Sequence, residues 1–304
     1  MRRLLALYVV VALLAAASCD RAARPAGTDV PATPAAPESI GVASYNAAVL
    51  GAAKASRPGT MGALAAIVAR FDLMALQEVG SNDSSASDES CDRVLAALVE
   101  RAAEVSGGAP FAYLRGGQYA FVYRTDRLEA QALPAIASAG RFAYPPLSAR
   151  FRAKGLPLDF VMITAHTRPS LAASEVPALA DAMYEAAIAY GEPDVICVGD
   201  FNADGAYYDE GEASVLAAFP AGRFATVVPN DADTTVASGS LAYDRIELTS
   251  SMAGDWTGDW GVLRPADILD LSACEGTKTT AGTERALSDH YPVWARLSTT
   301  SDRD

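Results

Sequence analysis

The stretch Phe160-Val-Met-Ile-Thr-Ala-His166 is an apolar run that ends in one of only two histidines in the chain. An apolar run of this length, bounded by polar residues, is typical of a buried β-strand. Residues 174–190 then carry an apolar stripe at helical spacing. Val195-Ile-Cys-Val-Gly-Asp200 is a second apolar run, and it ends in a carboxylate. The order strand, helix, strand predicts a unit with polar chemistry at the end of each strand.

The same alternation of short apolar runs and amphipathic segments extends outward in both directions. Helices are predicted at residues 58–71, 91–105 and 174–190. Strands are predicted at residues 39–46, 72–77, 111–115, 119–124, 128–133, 158–166, 194–198, 242–248 and 291–297. The three runs between residues 111 and 133 follow one another as a meander. A meander combined with strand-helix-strand units predicts an α/β (α+β) protein with a mixed sheet core covered by helices.

The ends of the chain differ in composition from its middle. Arg2 and Arg3 precede an apolar stretch over residues 4–15, which is too short to span a bilayer and is typical of a signal peptide. We therefore assign residues 1–18 to a signal peptide and residues 19–38, rich in Pro and Ala, to an extended tether. Residues 39–298 form the expected domain, and residues 299–304 a short tail.

The junction Ala16-Ala-Ser-Cys19 resembles the lipobox of bacterial lipoproteins, in which the cysteine is lipidated and becomes the new N-terminus. This resemblance predicts a lipid anchor at Cys19 and a location in the bacterial cell envelope. An ordinary cleaved secretory signal is the alternative. Both predict export.

The charge balance is strongly acidic. The formal net charge is −13, and it becomes −15 once Arg2 and Arg3 leave with the signal peptide. Such a surplus argues against binding nucleic acid through a broad basic face. A local cationic strip, or metal ions that bridge to phosphate, remain compatible with it. We expect a monomer.

The remaining cysteines divide into two kinds. Cys197 lies in an apolar strand and is predicted to be a small core residue. Cys91 and Cys274 lie in polar stretches rich in Ser, Gly and Thr. In an oxidising compartment such cysteines pair more often than they stay free, so we predict a Cys91–Cys274 disulfide.

Polar residues at strand ends are the candidates for chemistry. Asp200 and Asn202 leave the same face of an extended segment and can hold a hydrated divalent ion beside a phosphate oxygen. Glu78 points an acid out of an apolar run, and Asp289-His290 sets a carboxylate beside an imidazole. Taken singly, each also fits a turn, a solvated strand end or a capped turn. Likewise Asp244 fits either a salt-bridged acid or a group that orients an imidazole.

Seven short motifs, taken in their order along the chain, resemble those of a known protein family. The spacing of single residues would not show this resemblance. The ordered set is Ser44-Tyr-Asn46, Leu76-Gln-Glu78, Gln118-Tyr-Ala-Phe-Val-Tyr-Arg124, Ala165-His166-Thr, Gly199-Asp-Phe-Asn-Ala-Asp204, Ala242-Tyr-Asp-Arg-Ile246 and Ser288-Asp-His-Tyr-Pro-Val293. It resembles the endonuclease/exonuclease/phosphatase superfamily, and specifically its deoxyribonuclease I-like branch. The resemblance covers about residues 39–297.

The resemblance implies a four-layer α/β/β/α sandwich with two packed mixed β-sheets and a site at one edge. It also implies Mg²⁺ or Mn²⁺, with Asn46 and Glu78 at one metal position. Asp200, Asn202 and Asp289 would surround the scissile phosphate or a second ion. Finally, it implies that His290, oriented by Asp244, takes a proton from the attacking water, while His166 acts on the other side of the phosphorus.

Departures from the family pattern concern the binding residues. The family pairs the histidine at the position of His166 with a glutamate, which aligns here with Gly117. A DNA-contacting tyrosine aligns with Arg115, and Arg168 offers a new phosphate contact; both arginines are candidate substrate-binding residues. This chain lacks two threonines that the family has in its calcium-binding loop, which leaves a structural Ca²⁺ site unsupported here. The two lost threonines align with Ala237 and Gly239, whereas Asp233 and Thr235 are retained. Elsewhere, two arginines of the family pattern align with Gly80 and near Tyr144.

The sequence therefore predicts an exported, divalent-metal-dependent phosphodiester hydrolase, with DNA as the expected substrate and partner. One alternative is a phosphoesterase for a phospholipid head group or a sugar phosphate, which the acidic composition would suit. A second is a binding protein that keeps the fold without catalysis. The intact set of metal-binding and imidazole residues argues against the second alternative.

Overall fold

A computed structural model describes residues 38–80, 87–209, 216–276, 279–300 and 302. The predicted signal peptide, Cys19 and nearly all of the tether lie outside the described residues. Within these ranges, no helix is both long enough and apolar enough to cross a membrane.

Short strands and a few helices alternate along the chain. The helices are α1 (Ala52–Ala55), α2 (Pro58–Val68), α3 (Asp88–Val105), α4 (Ala172–Tyr190) and α5 (Glu284–Leu287). The strands are β1 (Ser39–Leu50), β2 (Leu73–Val79), β3 (Phe111–Gly116), β4 (Tyr119–Arg124), β5 (Leu128–Ala132), β6 (Leu147–Ala153), β7 (Asp159–His166), β8 (Val195–Asp200), β9 (Phe224–Thr226), β10 (Asp244–Thr249), β11 (Trp256–Val262) and β12 (Val293–Ser298).

The strands form two mixed sheets. Over the described residues, the first sheet has the order β11-β12-β1-β2-β4-β3 and the second the order β5-β6-β7-β8-β10-β9. In each sheet one central pair is parallel, β1 with β2 and β7 with β8, and the other pairs are antiparallel. The helix α2 connects the first parallel pair and α4 the second. This arrangement confirms the predicted pair of mixed sheets.

Side chains alternate between three apolar cores, which define four layers. On β2, Leu73 and Ala75 face the second sheet, whereas Met74 and Leu76 face α2 and α3. The same alternation on β7 sends Phe160 and Met162 into the core between the sheets, and Val161 and Ile163 toward α4. Both central strands are therefore buried on both faces, which explains their continuous apolar sequences. The predicted four-layer sandwich is confirmed.

Some elements were not predicted from the sequence. The strands β6, β9 and β11 fall in stretches to which the sequence analysis assigns no helix or strand. The strand β1 continues four residues past the predicted end, through an irregularity in its pairing with β2. The helix α4 starts at Ala172, ahead of Ser174. These differences leave the order of the central strands unchanged.

Candidate active site

The polar ends of the two parallel strand pairs meet at one edge of the sandwich. Asn46 near the end of β1 and Glu78 near the end of β2 come from the first sheet, and His166 and Asp200 end β7 and β8 in the second. The carboxyl ends of parallel strands lie at the same sheet edge, and the packing of the two sheets joins the two edges. Asp244 opens β10 directly opposite Asp200 in the ladder.

The amide of Asn46 connects the two sheets. Its Nδ2 donates to Glu78 Oε1 at 3.1 Å and to Asp200 Oδ2 at 3.0 Å. Its Oδ1 accepts a hydrogen bond from the backbone N–H of Ala48 at 3.0 Å, which fixes the amide orientation. Beneath it, Gln77 Nε2 donates to Ser44 Oγ at 3.1 Å and crosses between the sheets to Thr164 Oγ1 at 2.8 Å. The metal-binding candidates of both sheets are thereby held in fixed register.

Backbone strain is concentrated at this edge. Glu78 and Asn202 have φ angles of +61° and +46°, and Ala48 and Val49 have φ angles of +44° and +58°. Positive φ is uncommon for residues other than glycine, and it costs most for a β-branched residue such as Val49. In this conformation the Val49 N–H donates to Glu78 Oε2 at 3.0 Å. The strained turn therefore orients the glutamate carboxylate.

The end of β8 needs glycine before its aspartate. Gly199 has a φ of +146°, and a Cβ there would lie 1.8 Å from the carbonyl oxygen of Ala165. After it, Asp200 Oδ1 accepts the backbone N–H of Asn202 at 3.0 Å, and Asn202 Nδ2 donates to the Thr167 carbonyl at 2.9 Å. The Gly-Asp-x-Asn segment thus ties β8 to the loop that follows β7.

His290 is held by a buried carboxylate. Its Nδ1 lies 2.8 Å from Asp244 Oδ2, and its Nε2 lies 3.5 Å from Asp200 Oδ2. Burial alone would lower the pKa of His290, but the two carboxylates outweigh it and raise the pKa from 6.5 to about 10. Asp244 itself is fully buried. The imidazole therefore has a fixed orientation and a strong preference for its charged form.

His166 approaches Asp200 from the other side without such support. Its Nε2 lies 3.5 Å from Asp200 Oδ2, while its Nδ1 is buried and has no hydrogen-bond partner among the described residues. Its backbone N–H donates to Tyr119 Oη at 3.0 Å. Nothing described lies within 4 Å of a Cβ built on Gly117, where the family pattern has a glutamate. The lack of a described partner for Nδ1 of His166 agrees with the absence of the glutamate that the family has at the position of Gly117.

The segment before β12 closes the site. Ser288 Oγ donates to the Asn46 carbonyl at 2.6 Å and accepts the His290 N–H at 3.0 Å. Asp289 is exposed, and its carbonyl accepts the Val236 N–H at 2.8 Å. Its carboxylate acts electrostatically on both His290 and Lys54.

Lys54 is a site residue that our sequence reasoning missed. Its Nζ donates to the carbonyls of Ala47, Ala48 and Leu287 at 2.5, 2.5 and 2.8 Å. Burial lowers its pKa to about 8, and the nearby carboxylates of Asp289 and Glu78 oppose that shift. This lysine joins the strained end of β1 to the last residue of α5, directly before the segment that bears Asp289. Its only signal in the sequence is a single cation within the small apolar stretch of residues 47–55.

The donor set fits a hydrated divalent cation of the Mg²⁺ type. Glu78, Asp200 and Asp289 supply hard carboxylate oxygens, and such ions bind through one or two carboxylates plus water and phosphate. A tighter group of acids, Asp194, Asp255 and Asp302, lies in the described part of the chain beyond the opposite end of β8. Glu78, Asp200 and Asp289 do not form such a close cluster in the described chain, so a cation held by them would keep water or phosphate oxygens among its ligands.

The two candidate substrate-binding arginines differ. Arg115 ion-pairs with Asp88 at 2.7 Å and with Asp92 at 3.1 Å on α3, and its side chain is only 13% exposed. The substrate-binding role of Arg115 stays a prediction, and α3 presents two acids that would compete with a substrate for this guanidinium. Arg168 is exposed two residues after His166 and remains a candidate. In the altered calcium loop, Arg264 pairs with Asp233 at 2.8 Å, so a protein cation holds that carboxylate.

The predicted disulfide is wrong. Cys91 and Cys274 are free and buried, 6% and 3% exposed, in the core between the first sheet and α2 and α3. Cys91 lies on the apolar face of α3, and Cys274 Sγ lies 3.9 Å from the carbonyl of Gly59. Polar neighbours in sequence misled the prediction, since both thiols act as small core groups. Cys197 is fully buried, and burial raises the pKa of its thiol.

Two imidazoles that flank one carboxylate, beside an open position for a divalent cation, define a metal-dependent hydrolase of phosphoesters. The chain belongs to the Endonuclease/Exonuclease/phosphatase family, whose model matches residues 43–290. This confirms the resemblance seen in the motifs.

Proteins similar in sequence to this chain fall in the deoxyribonuclease I-like branch of the family. Deoxyribonuclease-1 of Oryctolagus cuniculus is 28% identical over 86% of this chain and 93% of its own length. Deoxyribonuclease-1-like 1 of Sus scrofa is 30% identical over 86% of this chain and 82% of its own length. Among solved structures, a humanized TDP2 of D. rerio superposes with a TM-score of 0.53 at 17% identity, covering 86% of this chain and 99% of that one.

Proposed function

We propose that the chain is an exported endonuclease that hydrolyses phosphodiester bonds of DNA with Mg²⁺ or Mn²⁺. The observation that carries this proposal is the position of the Asp200 carboxylate, 3.5 Å from Nε2 of both His166 and His290. The second nitrogen of His290 is held by the buried Asp244. Two proton-carrying groups on opposite sides of one acidic position suit in-line attack by water.

Each group has a role in this mechanism. Glu78, Asp200 and Asp289 would hold the cation, which when bound offsets negative charge on the phosphoryl oxygens. Asn46 would position the Glu78 and Asp200 carboxylates through its Nδ2. His290 would take a proton from the attacking water at Nε2, while Asp244 holds Nδ1–H and stabilises the imidazolium. A general base must be neutral, and the positive charge of a nearby divalent cation would lower the pKa of His290 from about 10.

On the other side, His166 Nε2 would donate a hydrogen bond to a phosphoryl or leaving oxygen. Asp200 keeps both Nε2 atoms directed at the same point. Asn202 holds the Thr167 carbonyl through its side chain, so the loop after His166 stays in place. Removing one such group from a phosphoester hydrolase typically costs about 10²-fold in rate.

DNA is favoured as substrate by the deoxyribonucleases that this chain resembles at 28–30% identity over most of its length. A phosphoesterase for a phospholipid head group or sugar phosphate is the second candidate. It is favoured by the net charge of −13 and by the pairing of Arg115 with acids of α3. Both features leave fewer free cations with which the protein could bind the phosphate backbone of a polyanion such as DNA.

A substrate panel separates the two candidates. Purified protein is incubated with supercoiled plasmid, a phospholipid and a sugar phosphate, each with Mg²⁺, with Mn²⁺ and with EDTA. We expect metal-dependent nicking of plasmid and no hydrolysis of the other two, measured as release of head group or phosphorylated head group from the lipid and of phosphate from the sugar phosphate. Hydrolysis of the lipid or sugar phosphate with intact plasmid would refute the nuclease.

We further propose that Cys19 carries a lipid that anchors the protein in the bacterial cell envelope. The support is the apolar stretch of residues 4–15 followed by Ala16-Ala-Ser-Cys19. Cys19→Ser should release the protein from the membrane fraction at unchanged specific activity, because a tether of about twenty residues separates it from β1. An intact mass that shows an unmodified N-terminus beyond Cys19 would leave only secretion.

A further inference from the structure

The two histidines belong to a longer row of side chains that crosses the site. Outward from Asp200 on one side, the His166 ring lies 5.7 Å from the ring of Tyr144. On the other side, the His290 ring lies 6.3 Å from Tyr243, and Tyr243 lies 5.7 Å from Tyr207. All three tyrosine contacts are tilted, with interplanar angles between 33° and 42°. The row ends in a tyrosine on each side.

Both terminal tyrosines are exposed to solvent. Tyr144 is 40% exposed and Tyr207 is 42% exposed. They are the only aromatic side chains among the large apolar residues that are exposed in the described ranges, the others being aliphatic. Two exposed aromatic rings at the two ends of a row that passes through both histidines are suited to stack on bases of a bound strand.

Buried or bridging carboxylates fix the two loops that carry these rings. On one side, Glu175 is 1% exposed and accepts the backbone N–H of Ala143 at 2.6 Å and that of Arg168 at 2.7 Å. The Tyr144 carbonyl also accepts from Tyr119 Oη at 3.2 Å. The loop of Tyr144 is therefore joined to the loop that follows His166.

The other side is built in a similar way. Asp204 accepts the backbone N–H of Gly205 at 2.5 Å and that of Ala242 at 2.7 Å, one residue before Tyr243. The Tyr207 N–H donates to the Asp204 carbonyl at 3.3 Å. The backbone of both loops is thus held before substrate arrives, which lowers the entropy lost on binding.

Few cations near the site are free to contact a phosphate backbone, although Arg168 is exposed beside His166. Arg115 and Arg264 are held by acids at 2.7 Å and 2.8 Å, and the chain carries a net charge of −13. Stacking of a base on an aromatic ring needs no cation, but it requires a base whose face is not already covered by its neighbours in a duplex. A stacking site with few free cations therefore fits unpaired nucleotides better than a double helix.

We propose that Tyr144 and Tyr207 are base-stacking platforms on either side of the scissile phosphate, and that the preferred substrate is single-stranded DNA. This inference rests on the proposed nuclease function. Stacking on one ring contributes about 1–3 kcal/mol per base, which corresponds to a change of roughly 5- to 150-fold in affinity.

The test compares kcat/KM of the full chain on three substrates of equal length: a single-stranded oligonucleotide, its duplex, and an abasic oligonucleotide with the same backbone. We expect wild type to prefer the single strand over both others by at least about fivefold. In Tyr144→Leu and in Tyr207→Leu, the ratio of single-stranded to abasic kcat/KM should fall at least about fivefold. Tyr144→Phe keeps the ring and should keep the ratio.

Ile188→Ala is the matched control, since Ile188 is 83% exposed on α4 and should leave all three rates unchanged. A wild type that prefers duplex, or leucine variants whose single-stranded to abasic ratio equals that of wild type, would overturn the inference. If instead no oligonucleotide is cleaved while a phosphate monoester or phospholipid is hydrolysed, the nuclease function itself fails, and the inference fails with it.

Discussion

The two histidines of this chain flank the same carboxylate but are held in different ways. Nδ1 of His290 lies 2.8 Å from the fully buried Asp244, whereas Nδ1 of His166 is buried without a hydrogen-bond partner among the described residues. A carboxylate partner fixes the tautomer of an imidazole and stabilises its charged form. We therefore expect His290 to carry proton transfer and His166 to contribute a weaker polar contact.

The difference extends beyond the rings. Around His290, the family motif is complete, and Thr234 Oγ1 accepts the backbone N–H of Asp244 at 3.1 Å to hold the strand start. Around His166, the partner position is Gly117, and the neighbours are an exposed Tyr144 and an exposed Arg168. The surroundings of His290 thus match the family pattern, whereas the surroundings of His166 differ from it.

Asp200→Asn should have the largest effect, because Asp200 faces both histidines. An amide keeps the shape and can still accept from Asn46 or Asn202, but it removes the charge. We expect activity to fall by about 10³-fold with the thermal midpoint nearly unchanged. Asp181→Asn, which removes an exposed acid on α4, is the matched control. Near wild-type turnover in Asp200→Asn would exclude a shared centre.

Glu78→Gln should come next and tests the metal position apart from catalysis. Glutamine can still accept from the Val49 N–H, so the strained turn should persist. We expect Mg²⁺ or Mn²⁺ at about ten times its dissociation constant to raise the thermal midpoint of wild type by about 2–4 °C, and to leave that of the variant unchanged. Activity should fall by about 10²-fold. Equal stabilisation of both proteins would place the metal elsewhere.

Asp244→Asn should cost less, about 10- to 100-fold in activity, because the amide still accepts from Nδ1–H. It should also change the pH dependence of stability. The raised pKa of His290 stabilises the fold below pH 6.5, and this contribution is lost as pH rises toward 10. In EDTA, wild type should therefore lose about 1–3 kcal/mol of unfolding free energy from pH 6 to pH 10, and Asp244→Asn clearly less. Identical slopes in denaturant unfolding would contradict this pairing.

Gly117→Glu should have the smallest effect, and it should be a gain. The position has open space around a built Cβ, but its φ of +57° disfavours residues with side chains. Gly117→Asn tolerates the same backbone conformation without reaching as far, and serves as the control. We expect the glutamate variant to exceed the asparagine variant about two- to tenfold in kcat. Equal rates would show that His166 needs no carboxylate.

The central strands and their polar ends were predictable because local pattern and burial agree there. Phe160 to His166 and Val195 to Asp200 are apolar runs that lie buried on both faces, so their sequences carry the signal directly. In β11 the sequence Trp-Thr-Gly-Asp-Trp-Gly-Val looks like a loop, and only pairing with β12 makes it a strand. Propensity could not show this, because tertiary pairing overrides it.

The site residues likewise divide into those that the local sequence indicates and those that only the tertiary fold brings together. The strand-end acids and imidazoles were found from the sequence, because motif order implied that they converge. Lys54 was missed, since its role depends on three backbone carbonyls that the fold brings together. The cysteine pair was predicted wrongly, and the ion pairs of Arg115 were not foreseen, for the same reason: their neighbours on α3 and in the core are set by packing and not by adjacent residues.

The most direct test measures the single-turnover rate constant of His290→Ala and His166→Ala on the same oligonucleotide with Mg²⁺ and excess enzyme. Both variants remove an imidazole at a similar depth, with 10% and 12% of the side chain exposed. We predict that His290→Ala loses at least about 10³-fold and His166→Ala about 10²-fold, both remaining folded. Equal losses, or a larger loss in His166→Ala, would contradict the assignment of proton transfer to the His290–Asp244 pair.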